Sequence, residues 1–273
     1  MRRLASALVV LTVVLNPAVF NALRKPTPKG HLVVVGGGQI GPEILEKALD
    51  LAGGASATVA ILPQASELPE TGGNAVETWK KAGAKSAVAL DVKNPAEAIS
   101  AIKGASLIWF PGGDQNRLTQ ALGGTGITEA ILQRYRDGAT IGGTSAGAAV
   151  MSTVMITGDS DLQSVTAGKT KTAAGLALWP EVVVDQHFLK RQRQARLLSL
   201  VLDHPDLIGI GIDESTAVVV SGSRIEVVGR SSVVVFDARR ATVGKVPEGQ
   251  LATGRNLTLH VLTPGMTMDL RRR

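Results

Sequence analysis

The chain has 273 residues, of which 44% are hydrophobic and only 19% charged. That composition supports a substantial buried core and excludes a disordered chain. The net charge of +6 comes from dispersed basic residues with few aromatics among them, so no nucleic-acid partner is expected. Cysteine is absent and only His31, His187, His204 and His260 carry imidazoles. Disulfides, thiolate metal sites and a cysteine nucleophile are excluded, and no metal or other cofactor is expected.

In chain order, Arg2 and Arg3 precede an uncharged, mostly apolar stretch from Leu4 to Leu15. Such a stretch fits the core of a secretory signal and is too short to span a bilayer. With Ala22 as the cleavage position (Ala18 is the alternative), residues 1–22 are expected to be a signal peptide. The protein is then secreted or periplasmic, with no stable membrane anchor. Residues 23–273 read as a single domain, with a short Pro- and Lys-containing linker at Arg24–Gly30 but no internal repeat and no linker marking a second domain; a homodimer is compatible with that reading.

Within that domain, His31–Val35 is an extended apolar run ending at Gly36-Gly37-Gly38. Helical spacing over Pro42–Ala52 follows, then extended Ala57–Leu62 stopped by Pro63. Helix is predicted at Val76–Ala82, strand at Ser86–Leu90, helix at Ala96–Lys103 and strand at Leu107–Phe110 before Pro111. Ile127–Asp137 reads as helix and leads into strand at Ala139–Ile141. This alternation specifies an α/β fold, a mostly parallel sheet sandwiched by helices. Ligands bind beyond the carboxyl ends of such strands, so the glycine turns after Val35, Phe110 and Ile141 are expected on the functional edge. Ala217–Ser221, Arg224–Val228 and Ser232–Phe236 read as antiparallel C-terminal strands extending the same sheet.

Gly36, Gly38 and Gly41 match the glycines of a dinucleotide loop, but no acidic residue follows the second strand at the ribose position. A tight turn is the reading taken. Gly112-Gly113-Asp114-Gln115 can aim main-chain N–H groups into a cleft because glycine removes the Cβ obstruction. Gly143, Ser145 and Gly147 satisfy G-x-S-x-G. That spacing lets a serine stand on a strained strand-to-helix bend with its hydroxyl clear. Ser145 is therefore the expected nucleophile, with the N–H groups of Ala146 and Gly113 as oxyanion donors. A serine hydroxyl needs a base. His187 follows the apolar strand Val182-Val183-Val184 at its carboxyl end, where a base belongs. Glu214, which ends the apolar run Ile210–Ile212, ranks first as the carboxylate that orients it. Asp185, Asp213, Asp159 and Asp161 are further candidates.

Taken together, Pro111–Gln115, Gly143–Ala148, Asp185-Gln186-His187-Phe188, the arginines 191, 193 and 196, and Gly211–Ala217 resemble peptidase family S51 in its cyanophycinase-like branch. The resemblance runs from His31 to about Phe236. It implies a fold similar to class I glutamine amidotransferases and a Ser145–His187–Glu214 triad. It also implies a substrate groove lined by Gln115, Asp185, Gln186, Arg191, Arg193 and Arg196. Guanidinium forks match carboxylates independently of that resemblance. The expected substrate is a peptide or poly-aspartate: cyanophycin, in which each aspartyl side chain carries arginine, or β-aspartyl-arginine peptides. An N-terminal aspartyl dipeptidase of the same family, and a catalytically inactive binding relative, are the alternatives.

Overall fold

The structure is a computed structural model that describes residues 27–158 and 162–271. The expected leader at residues 1–22 and the alternative acids Asp159 and Asp161 lie outside the described residues. The first half runs β1 (Leu32–Val35), α1 (Pro42–Leu51), β2 (Thr58–Ile61), α2 (Thr71–Lys81), β3 (Ser86–Ala89), α3 (Pro95–Gly104), β4 (Leu107–Phe110), α4 (Gln115–Leu122), α5 (Ile127–Asp137), β5 (Thr140–Thr144) and α6 (Ala146–Ala149). The second half comprises β6 (Val154–Ile156), β7 (Thr172–Ala174), β8 (Val182–Gln186), α7 (Gln194–Asp203), β9 (Ile208–Ile212), β10 (Thr216–Ser221), β11 (Arg224–Gly229), β12 (Val233–Asp237), β13 (Thr242–Gly244), β14 (Thr253–Arg255), β15 (Thr258–Leu262) and β16 (Thr267–Asp269).

The larger sheet has the order β16-β11-β10-β1-β5-β4-β2-β3. Strands β1 to β5 are mutually parallel, while β10 and β11 continue the sheet antiparallel beyond β1. The four-residue strand β1 is fully buried, as a strand covered on both faces must be. Its alternate side chains divide between two cores. Leu32 and Val34 join the core containing α3 and α5, and Val33 and Val35 join the one containing α1 and Trp79 of α2. In the second core Trp79 meets Trp109 of β4 edge-on, with ring centroids 4.9 Å apart. The helices after β1 and β2 thus cover one face, and those after β3, β4 and β5 cover the other. Neighbouring strands β1 and β5 send their chains to opposite faces, which opens a crevice at their carboxyl ends.

One expectation about the C-terminal strands needs correction. Ala217–Ser221 and Arg224–Val228 do extend the large sheet, but Ser232–Phe236 does not. β12 instead pairs with β9 and β15 in a second sheet of order β15-β12-β9-β8. The physical reason is that this sheet has its own two-sided demand for burial. Val233 and Val235 face the core shared with the large sheet, while Val234 and Phe236 pack with Phe188 and with Leu197, Leu200 and Val201 of α7. An alternating pattern specifies faces and leaves the neighbouring strand open.

Candidate active site

Each of the three expected triad residues stands at the carboxyl end of a strand. Ser145 follows β5, His187 follows β8, and Glu214 follows β9 just before the chain crosses to β10 in the other sheet. The Ser145 backbone has φ 54° and ψ −112°, a strained conformation for a residue with a Cβ. The surrounding glycines make that bend possible. A Cβ on Gly143 would lie 2.4 Å from the carbonyl oxygen of Gly147, and one on Gly147 would lie 2.1 Å from that of Phe110. Strand, bend and helix are therefore pressed together with no room for a methyl. The Ser145 N–H donates to the carbonyl of Val35 at 3.0 Å, which ties the bend to the end of β1.

Ser145 Oγ lies 2.9 Å from His187 Nε2, and His187 Nδ1 lies 2.6 Å from Glu214 Oε1. The carboxylate fixes the proton on Nδ1 and leaves Nε2 free to accept the serine proton. His187 is only 7% exposed. Burial is the main cause of its lowered pKa; the hydrogen bond and charge of Glu214 oppose that shift, and the positive charges of Arg191 and Arg193 reinforce it. The imidazole is consequently held in its neutral, proton-accepting form at neutral pH. His187 (φ 50°) and Ser215 (φ 55°), the residue after Glu214, share the positive φ of Ser145. Such conformations cost roughly 1–3 kcal/mol each and persist where the surroundings over-determine them.

The two principal alternative acids are otherwise engaged. Asp213 accepts from the N–H groups of Leu189 and Lys190 and from the Ser231 hydroxyl, holding the chain after His187. Asp185 is buried and receives Nε and Nη2 of Arg196 at 2.7 and 2.5 Å. The loop after β4 reaches the nucleophile from the other side. A Cβ on Gly112 would stand 3.5 Å from the Ser145 Cβ, and Gly113 has φ +142° with the carbonyl of Ala65 pressed against its Cα. Asp114 then caps α4 by accepting from the Asn116 N–H at 2.7 Å. Gly113 and Ala146, the expected oxyanion donors, thereby come to the same strand edge as Ser145.

The residues that the resemblance assigns to a groove separate into two groups. Gln115 Nε2 donates to the Ile156 carbonyl at 2.8 Å, bracing α4 against β6. Arg193, the N-cap residue of α7, donates to the main-chain and side-chain oxygens of buried Gln186 at 2.6 and 2.7 Å. Arg196 is 5% exposed and spends its fork on Asp185, with Nη1 also 3.4 Å from the Gly158 carbonyl. Arg191 is the exposed member, close enough to His187 for its charge to act there. Arg193 at the helix start and Arg196 one turn on both turn toward Asp185, at 3.6 and 2.5 Å.

The triglycine turn lies on the functional edge, as expected, but its role in holding the base and acid was not expected. Gly36 accepts from the His187 N–H at 2.6 Å, and Gly37 accepts from the Ser215 N–H at 2.8 Å. The turn therefore holds the backbones of the base and of the residue after the acid. The available signal was three consecutive glycines at the same sheet edge as the nucleophile.

A hydroxyl, an imidazole and a carboxylate in hydrogen-bonded series, on a strained bend of a parallel sheet, define a serine-type hydrolase built on an α/β fold. The sequence pattern of Peptidase family S51 matches residues 32–228. The chain is 39% identical over 251 residues to the cyanophycinase of Geminocystis herdmanii (strain PCC 6308), covering 87% of this chain and 92% of that protein. It is 38% identical over 269 residues to the cyanophycinase of Trichormus variabilis (strain ATCC 29413 / PCC 7937), covering 92% and 90%. Among solved structures, a peptidase from an acI-B1 Actinobacterium superposes with a TM-score of 0.63 at 25% identity, covering 89% of this chain and 98% of that one. The chain belongs to peptidase family S51 and is a serine-type peptidase.

Proposed function

We propose that this peptidase hydrolyses cyanophycin or β-aspartyl-arginine peptides through an acyl-enzyme, and that Ser145, His187 and Glu214 carry the reaction. The observation that bears most weight is the unbroken series from Ser145 Oγ through the imidazole to Glu214, at 2.9 and 2.6 Å. The likeness to two proteins described as cyanophycinases, over about nine-tenths of the chain, supports the substrate.

In this reading Oγ attacks the scissile carbonyl carbon while its proton passes to Nε2 of His187. The carbonyl oxygen becomes an oxyanion and takes the N–H groups of Gly113 and Ala146. Glu214 stabilises the imidazolium. The carbon–nitrogen bond then breaks, and the Nε2 proton goes to the departing amine. A water molecule, deprotonated in turn by Nε2, attacks the acyl carbon. The acid product leaves and Oγ recovers its proton. Exposed Arg191 is the guanidinium placed to meet a substrate carboxylate. Export to the periplasm or medium belongs to the same proposal and rests on the N-terminal sequence alone.

Incubation with cyanophycin, and separately with N-terminal aspartyl dipeptides, tests the assignment when the products are weighed by mass spectrometry. Release of β-aspartyl-arginine from the polymer, abolished in Ser145→Ala, is the expected result. Cleavage of the dipeptides alone would transfer the activity to another branch of the family, and cleavage of neither would remove the substrate assignment.

A further inference from the structure

We infer that Gly37 is a positioning residue for the base: its bare Cα is the platform on which the His187 imidazole lies, and the absence of a side chain there sets the ring between its two partners. This inference rests on the triad reading above. A methyl carbon built on Gly37 would stand 2.3 Å from Cε1, 2.5 Å from Nε2 and 2.8 Å from Nδ1 of His187. A carbon in the ring plane beyond Cε1 would be much farther from both nitrogens than from Cε1. The near-equal separations therefore place it over the face of the ring. The imidazole lies flat against the turn, and the atom pair that makes this contact is one that only glycine permits.

The turn is in turn fixed on three sides. Gly36 N–H donates to the Thr216 carbonyl at 2.9 Å, Gly36 accepts from the His187 N–H, and Gly37 accepts from the Ser215 N–H. A Cβ on Gly36 would meet the carbonyl oxygens of Asp213 and Ile212 at 2.2 and 2.4 Å, and one on Gly38 would meet the Glu214 Cβ at 2.9 Å. The platform cannot retreat, so any added carbon at Gly37 must displace the ring. A ring displaced by about an ångström loses the simultaneous 2.9 and 2.6 Å contacts, and misplacement on that scale costs about 100-fold in rate.

The competing explanation is that residue 37 is glycine only because its φ is +103°. Gly83 separates the two explanations, because it has φ +104° and nothing within 4 Å of its Cβ position. Alanine at either site pays the same kind of backbone strain, but only at 37 does it meet an imidazole. A fluorophosphonate probe reports the activated serine directly. Labelling of Ser145 is expected to slow about 100-fold in Gly37→Ala and to stay at the wild-type rate in Gly83→Ala. Equal labelling of Gly37→Ala and the wild type would overturn the inference. If the wild type itself fails to label at Ser145, it is the triad reading that falls.

Stability supplies the second measurement, and it holds even where Gly37→Ala folds poorly. In a His187→Ala background the methyl enters space the ring has left. The melting-temperature loss caused by Gly37→Ala should then shrink, a coupling expected of residues in contact and absent from a purely backbone effect. An identical loss with and without the imidazole would count against the platform.

Discussion

The two sheets contribute to the site in different ways. The proposed nucleophile belongs to the large sheet, and the bend that presents it is largely local: a short strand, a turn, and glycines two residues away on either side. The proposed base and acid belong to the small sheet, and their alignment rests on distant partners. His187 depends on Gly36 and Glu214, which are remote in sequence and brought together only because β8, β9 and the crossover to β10 end beside β1. In the proposed mechanism, activation of the serine is thus a property of the joint between sheets. Tests of this division should separate the chemistry of the hydroxyl from the alignment of its partner.

The largest effect is expected at the hydroxyl. Ser145→Ala should lower peptidase activity by roughly 10⁴- to 10⁶-fold, with an unchanged melting temperature, because the residue's structural work is done by its backbone. Progress curves and thermal melts check both halves. A variant that kept a tenth of the activity would show that the nucleophile lies elsewhere.

Glu214→Gln addresses the joint itself. An amide cannot stabilise the imidazolium or fix the same tautomer, so a loss of about 10⁴-fold in kcat is expected. The pH profile adds a signature. Glu214 raises the His187 pKa by hydrogen bond and by charge; removing the charge leaves the lowering by burial less opposed. The acid limb of the kcat/KM profile should therefore move to lower pH. A shift the other way would mean that Glu214 is not the partner of the base.

How much of this was legible in the sequence follows the same division. The parallel strands and most helices announce themselves through apolar runs ended by glycine or proline, and Ile127–Asp137 has the predicted bounds. Ser145 announces itself because its neighbours must be small at fixed spacing. The second sheet does not, since Val233–Phe236 is equally good as the next strand of either sheet. Helix α4 went unread, and so did the burial of Arg196, whose partner Asp185 is 11 residues away. A charged side chain reads as solvent-facing until its partner is seen. The triglycine turn was legible as a bend, but its purpose depends on His187 and Glu214 arriving from another sheet.

That buried pair gives an intermediate test. Arg196→Ala leaves the buried Asp185 carboxylate with only the Gln186 N–H and the Arg193 guanidinium 3.6 Å away, and breaking such a pair costs up to about 3–5 kcal/mol. Chemical denaturation should register that loss, while the kcat of the folded fraction should fall far less than in Glu214→Gln. If instead stability is unchanged and KM alone rises steeply, the arginine meets substrate directly.

The smallest effect tests the electrostatics of the joint. Arg191 is exposed, so its charge acts on His187 through solvent-screened space, yet its direction is defined: it lowers the imidazole pKa. Arg191→Ala should therefore raise that pKa, and the acid limb for Ser145 labelling by a neutral fluorophosphonate should move upward, opposite to the shift in Glu214→Gln. A neutral probe matters because a carboxylate substrate would mix lost binding with lost activation. Added salt should shrink the difference between wild type and variant, since screening removes the same interaction that the substitution removes. If the limb moves down, or if salt leaves the difference untouched, the influence of Arg191 on the base is steric, and the balance of charges around His187 has to be redrawn with Arg193 as its main positive neighbour.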